Sequence, residues 1–139
     1  MSPKHQPRTR SMTRGDVAVR ASTARKYQEV AELVMGEDPA ERHVAGGLAV
    51  LAAIAASDAI CGASPQECAR DQDHSRAADL LATVDPNGRE LAVRLRKVLD
   101  EKSAAHYGAS FLSPQQSSYM VRHARSLVDS MEGYVGRGN

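Results

Sequence analysis

Residues 44–63 read VAGGLAVLAAIAASDAICGA, and this stretch decides the fold. Small apolar side chains fill it, and Asp58 is its only charged residue. A helix that is apolar on every face lies in a protein interior, where neighbouring helices cover it. The other predicted helices are amphipathic, so each has one apolar stripe to bury. We therefore predict that this stretch forms the central helix of an α-helical bundle.

The whole chain predicts an all-α fold, an up-and-down bundle of four main helices with one or two short ones. Aromatic residues make up only 4% of the 139 residues, and no alternating strand pattern is present. Asp16 is the predicted N-cap of the first main helix, and Ser113 with Gln116 forms a predicted capping box before the last. The main helices are predicted over 17–35, 40–61, 89–106 and 114–134, and the short ones after Ser64 and over 74–83.

Charge divides the chain into a basic tail over 1–15, a bundle over 16–135 and a short tail over 136–139. The first tail carries Lys4, Arg8, Arg10 and Arg14 and no acidic residue, so its charge is about +4, whereas the net charge of the whole chain is +1. We predict that it is flexible. Its three arginines are candidate nucleic-acid-binding residues, because flexible cations bind phosphates. The alternative is a solvated arm.

Several classes of protein are disfavoured by the sequence. Two cysteines are too few for a secreted disulfide scaffold, and no signal peptide is recognisable. The uncharged part of the central stretch, 44–57, is shorter than the ~18–20 residues of a membrane span. We predict a cytoplasmic protein. Cys61, Cys68 and His74 lack the close pairing of zinc ligands, so neither a metal nor a cofactor is predicted.

The decapeptide LDEKSAAHYG contains the candidate chemistry. Leu91, Leu95 and Leu99 form an apolar stripe, and helical spacing continues this stripe to Lys102 and His106. Two interpretations remain open. Both residues lie at the end of a helix, where lysine reaches water and histidine is favoured by the helix dipole. Alternatively, a cation and a titratable imidazole line a cleft.

Over residues 17–134 the chain resembles HEPN domains. The similarity rests on AASDAI (55–60), on Asp73-His74 before a short helix, and on LDEKSAAHYG followed by SPQQSSYMVRHARSLV (113–128). HEPN domains are small helical bundles, usually dimers, and many are metal-independent RNA endonucleases of toxin–antitoxin, antiviral or RNA-processing systems. The resemblance implies a homodimer, RNA as the ligand, and a cognate nucleotidyltransferase as antitoxin, with Tyr107 as its candidate target.

The family's nuclease motif is an arginine, four to six residues, then a histidine. His106 matches the histidine, but the arginine positions hold Leu99, Asp100 and Glu101. Lys102 is the nearest cation. Histidine transfers protons near neutral pH, and a cation stabilises the negative phosphorane. His106 and Lys102 are therefore the candidate catalytic pair.

Supporting roles are predicted for Tyr107, Asp58 and His74, with Asp58 paired to Lys102 or His74. Three functions follow from these assignments. The first is an RNA-binding protein with endoribonuclease activity. The second is a non-catalytic dimeric module that binds a partner protein or a nucleotide. The third is a bundle that serves only for assembly.

Overall fold

The computed structural model describes residues 9–63, 67–69 and 74–137. Within these ranges the prediction of an all-α bundle is confirmed, with four main helices and two short ones. The main helices are α1 (Arg14–Val34), α2 (Pro39–Ala63), α4 (Gly88–Leu99) and α6 (Pro114–Arg137), and the short ones are α3 (His74–Leu81) and α5 (Lys102–Tyr107). Two strands, β1 (Thr9–Ser11) and β2 (Glu67–Ala69), have three residues each.

Helix α2 is the centre of the bundle, as the small apolar stretch predicts. It packs against the five other helices, and fourteen of its residues from Ala45 to Gly62 are buried. Its small residues allow this close packing. A Cβ atom at Gly46 would collide with Cδ1 of Leu112 and lie 3.4 Å from Sδ of Met120. Glycine is therefore required where the chain before α6 crosses α2.

The N-terminal part of the chain differs from the predicted flexible tail. Thr9–Ser11 pair antiparallel with Glu67–Ala69, and Arg10 lies opposite Cys68. Met12 is buried against Gly62, at the end of α2. A three-residue strand is too short to show an alternating pattern, so the sequence alone could not predict it. The short helix predicted after Ser64 is wrong at Glu67, which begins β2, and residues 64–66 lie outside the described ranges.

Two capping boxes begin the first and last helices. Thr13, and not Asp16, is the N-cap of α1: the Thr13 hydroxyl accepts the Asp16 N–H, and the Asp16 carboxylate accepts the Thr13 N–H, both at 3.0 Å. The hydrogen bond from the Thr13 N–H lowers the pKa of the Asp16 carboxyl most, and the Thr13 side chain lowers it further. The predicted box before α6 is confirmed, because Ser113 Oγ accepts the Gln116 N–H at 3.1 Å and Gln116 Oε1 accepts the Ser113 N–H at 2.8 Å.

Among the described residues, α2 alone is long and apolar enough to cross a membrane. Its most apolar window is 72% buried inside the bundle, which is typical of the core helix of a soluble protein.

Candidate functional site

The predicted helix over 89–106 is broken, and the break decides where Lys102 and His106 lie. Helix α4 ends at Leu99, the Glu101 N–H bonds the Val98 carbonyl at 3.1 Å in a tight turn, and α5 begins at Lys102. Gln116 of α6 donates to the Glu101 carboxylate at 3.1 Å and fixes this turn. The last buried residue of α4 is Val98, and the next buried residue is Ala105 on α5.

The exposure of the two candidate residues corrects their predicted inward placement. On α5 the buried residue is Ala105, whereas His106 is exposed and Lys102 is half-buried. Both basic side chains reach water, so neither requires a buried partner. The interpretation that places them at an accessible helix end agrees with this geometry.

His106 lies against α2 at Gly47. A Cβ atom at Gly47 would be 3.6 Å from Cε1 and 3.8 Å from Nε2 of the His106 ring. These are ordinary contact distances, so the imidazole lies beside the α2 backbone at this position. One side of the ring is covered, while the residue as a whole remains exposed to solvent.

Tyr107 and Lys102 lie next to this imidazole. The Tyr107 ring is 78% exposed, its centroid is 6.2 Å from that of His106, and Lys102 Nζ is 5.9 Å from the Tyr107 centroid. A cation at that distance from a ring is weakly attracted to the π face. The three predicted residues of α5 therefore form one accessible group.

Two residues that the sequence analysis did not select join this group. His43 of α2 accepts the Leu112 N–H at Nδ1, at 3.0 Å, and its ring meets the edge of Phe111 at 5.7 Å. Phe111 is 61% exposed. Because Nδ1 accepts a hydrogen bond, the neutral ring of His43 carries its proton on Nε2.

His43 and His106 lie on the same side of α2. His43 precedes Gly47 by four residues, which is one helical turn, and Gly47 is the residue that His106 covers. The i, i+4 spacing of His43 and Gly47 is the feature of the sequence that indicates a shared side of α2. We call the group of His43, Lys102, His106, Tyr107 and Phe111 the His43–His106 surface.

Arg42, the neighbour of His43, does not replace the missing arginine of the nuclease motif. The Arg42 guanidinium donates to the carbonyls of Gly36 and Glu37, in the turn between α1 and α2. It is held there and does not join the imidazoles. Lys102 is therefore the cation of the His43–His106 surface.

Among the described side chains, Asp58 pairs with Arg20 and not with the predicted partner Lys102. Its Oδ2 accepts from Nε and Nη2 of Arg20 at 3.2 and 3.0 Å. Burial raises the pKa of Asp58, and the charge of Arg20 opposes this rise. Asp58 is eleven residues beyond Gly47, or about 16 Å along the helix axis, so it does not support His106. His74 begins α3, and its side chain lies outside the described part of the chain.

Of the basic residues in the N-terminal segment, Arg10 lies near Asp58. Arg10 in β1 is exposed, and its charge lowers the pKa of both Asp58 and Asp16. Arg14 is exposed at the start of α1, while Arg8 lies outside the described residues. The structure thus separates the described arginines of this segment from the His43–His106 surface.

The described residues contain no group of three or more histidine, cysteine or acidic side chains that could hold a metal ion. Cys61 is buried in α2, and the side chains of Cys68 and His74 are outside the described set. No model of a known protein family matches the chain, and no curated protein is significantly similar to it.

Proposed function

We propose that this is a HEPN-like protein that binds single-stranded RNA on the His43–His106 surface and cleaves it through His106. One observation carries the proposal. Two exposed aromatic residues, Tyr107 and Phe111, each lie beside an imidazole, and Lys102 Nζ is 5.9 Å from the Tyr107 centroid. Exposed aromatic rings stack on unpaired bases, and nearby cations attract the phosphates between them.

The proposed chemistry assigns one role to each side chain. His106 takes the proton from a ribose 2′-hydroxyl, whose oxygen attacks the adjacent phosphorus, and Lys102 attracts the negative phosphorane. The bond from phosphorus to the 5′-oxygen then breaks, the protonated His106 returns the proton to that oxygen, and a 2′,3′-cyclic phosphate remains. Lysine supplies a point charge on a flexible stem and lacks the forked contact of arginine. We therefore expect slower cleavage than an arginine would support. No bound metal is required for this route.

The second candidate is a non-catalytic module that binds a partner protein or a nucleotide on the same face. The specific observation in its favour is that Arg42, next to His43, is bound to the turn before α2, so Lys102 is the cation of the surface. This candidate predicts binding without cleavage. Restoring an arginine at the lysine position separates the two functions.

Cleavage is tested on single-stranded RNA in excess chelator, with wild type, His106→Ala and Lys102→Arg. We expect His106→Ala to lower the rate by about 10²–10⁴-fold, the usual contribution of a general acid or base. We expect Lys102→Arg to raise it. Wild-type activity that persists in His106→Ala contradicts the assignment. Binding without cleavage by wild type and Lys102→Arg supports the non-catalytic module.

Binding is tested separately with Tyr107→Ala. Stacking of one base on an aromatic ring contributes about 1–3 kcal/mol, so affinity should fall by about 5- to 150-fold. Leu33→Ala is the matched control, because Leu33 is 75% exposed on α1. Its affinity should equal that of wild type. Equal affinities of all three proteins would exclude Tyr107 from the RNA contact.

The wider setting belongs to the same proposal. We place the protein in the cytoplasm as a homodimer of a toxin–antitoxin or defence system, with a cognate nucleotidyltransferase as its antitoxin. Support for Tyr107 as the modified residue is its exposure of 78%, which leaves the hydroxyl accessible. Light scattering that finds a monomer at all concentrations would contradict the dimer. An unmodified Tyr107 after incubation with the partner enzyme and a nucleotide would contradict the modification.

A further inference from the structure

Basic side chains from α4 and α6 gather on a second face of the molecule. Arg94 and Lys97 are one turn apart on α4, and Arg122 and His123 are adjacent on α6. Arg94 Nη1 lies 3.3 Å from His123 Nδ1, and the His123 ring meets the edge of Tyr119 at 4.4 Å. We call these five residues the α4–α6 patch.

Positive charge dominates this patch. Burial lowers the pKa of His123 most, and the charges of Arg94, Lys97 and Arg122 lower it further. Three cations thus act together on one imidazole. Glu90 lies 3.4 Å from Arg94 Nη2, but its side chain is 66% exposed, so solvent weakens the pairing. Like charges at close range repel one another, and a bound polyanion would relieve that repulsion.

The hydrogen bond between Arg94 and His123 also fixes which ring nitrogen carries the proton. A guanidinium can only donate, so Nδ1 of His123 accepts, and the neutral ring has its proton on Nε2. Lys97 and Arg122 are both exposed. The patch therefore presents hydrogen-bond donors together with positive charge, which is the chemistry that phosphate oxygens require.

The α4–α6 patch leads toward the His43–His106 surface. Following α4 from Arg94 and Lys97, the chain reaches Glu101, which Gln116 of α6 binds at 3.1 Å. The next residue, Lys102, begins α5 and belongs to the His43–His106 surface. The cations of the α4–α6 patch are therefore suited to bind an RNA strand that extends beyond Tyr107 and Phe111.

We propose that the α4–α6 patch binds the phosphate groups of a polyanion, and that this polyanion is the RNA strand held on the His43–His106 surface. The inference that the ligand is RNA rests on the proposed function. The inference that the patch binds phosphate groups rests on its own cations. Contacts of this kind add affinity without base specificity. They also make binding dependent on salt.

The test compares Lys97→Ala/Arg122→Ala with the matched control Lys26→Ala/Arg89→Ala. Each double variant removes two exposed cations, but Lys26 on α1 and Arg89 at the start of α4 do not belong to the α4–α6 patch. The two variants have the same net charge, so a difference in their RNA affinity reports the position of the removed cations. Because all four side chains are exposed, we expect both proteins to fold as wild type does.

Affinity for a single-stranded RNA oligonucleotide is measured over a range of salt concentrations. Each phosphate contact to a single strand contributes about 0.7 to the slope of log affinity against log salt. The patch variant should lose about 1.4 of that slope and on the order of tenfold in affinity at ~0.1 M salt. The control should match wild type. Equal slopes and affinities for both variants would overturn the patch as an RNA contact while leaving the proposed function intact.

A second measurement separates the failure of the two proposals. Sodium tripolyphosphate is titrated into wild type while the His123 imidazole resonances are followed by NMR. A shift at His123 that disappears in Lys97→Ala/Arg122→Ala supports the phosphate site, even if RNA binding fails and the proposed function is contradicted. Unchanged His123 resonances would overturn the phosphate site.

Discussion

At the scale of single residues, the ion pair of Asp58 shows which part of a contact the sequence can predict. It is the lone charge of an apolar segment, and that much was legible from the sequence. Its partner was not, because Arg20 lies 38 residues earlier on α1. Only the packing of α1 on α2 brings the two together. The predicted pairing with Lys102 was wrong, and the side chain of the alternative partner, His74, lies outside the described residues.

Replacing Arg20 tests this ion pair. We expect Arg20→Ala to reduce the free energy of unfolding by about 1–3 kcal/mol at pH 7, because it leaves the Asp58 carboxylate without its donors. The folded-state pKa of Asp58 is raised above the ordinary 3.8. The carboxyl group therefore takes up its proton in the folded state first as the pH falls.

The loss of unfolding free energy in Arg20→Ala consequently shrinks as the pH falls through the raised pKa of Asp58 toward 3.8. Urea unfolding of wild type and Arg20→Ala across this range measures it. Arg89→Ala, which removes an exposed cation, is the control and should show little change at any pH. A loss of the same size at all pH values would show that Asp58 is not the group responsible.

At the scale of helices, periodicity located the main elements and failed at one joint. The stretch over 89–106 contains neither glycine nor proline, so nothing local marks a break. The turn at Asp100 and Glu101 is set by Gln116 from α6, a contact across the fold. Lys102, His106 and Tyr107 lie together on α5, but the continuous helical stripe of the sequence did not predict their exposure.

The two glycines of α2 provide a paired test of close packing. A Cβ atom at Gly46 would collide with Leu112, whereas one at Gly47 would make an ordinary contact of 3.6 Å with His106. Alanine in a helix interior gains about 0.5–1 kcal/mol over glycine. We expect Gly47→Ala to be stabilised by roughly that amount.

Gly46→Ala should instead lose about 1–3 kcal/mol, because overpacking forces Leu112 and Met120 to move. Thermal and urea unfolding of both variants measures the difference. If Gly46→Ala were as stable as Gly47→Ala, the segment before α6 would not be packed against α2 as described.

At the scale of the whole molecule, α2 separates two regions. Near its C-terminal end, Arg20, Asp58 and the strand residue Arg10 form a structural group. Beside its N-terminal half, His43 and Gly47 support the His43–His106 surface. The apolar composition of α2 predicted the centre of the bundle. It could not predict which loop and short helix would cover its ends, since this depends on α5 and Phe111.

The central claim is that RNA binds at the His43–His106 surface, and an NMR titration of the whole chain with a short single-stranded RNA tests it most directly. The account predicts shifts at Tyr107, Phe111 and the imidazoles of His43 and His106. It predicts little change at Leu33, which is exposed on α1. Saturating RNA that leaves those four residues unchanged, or that shifts only residues around Arg10 and Arg14, would contradict it.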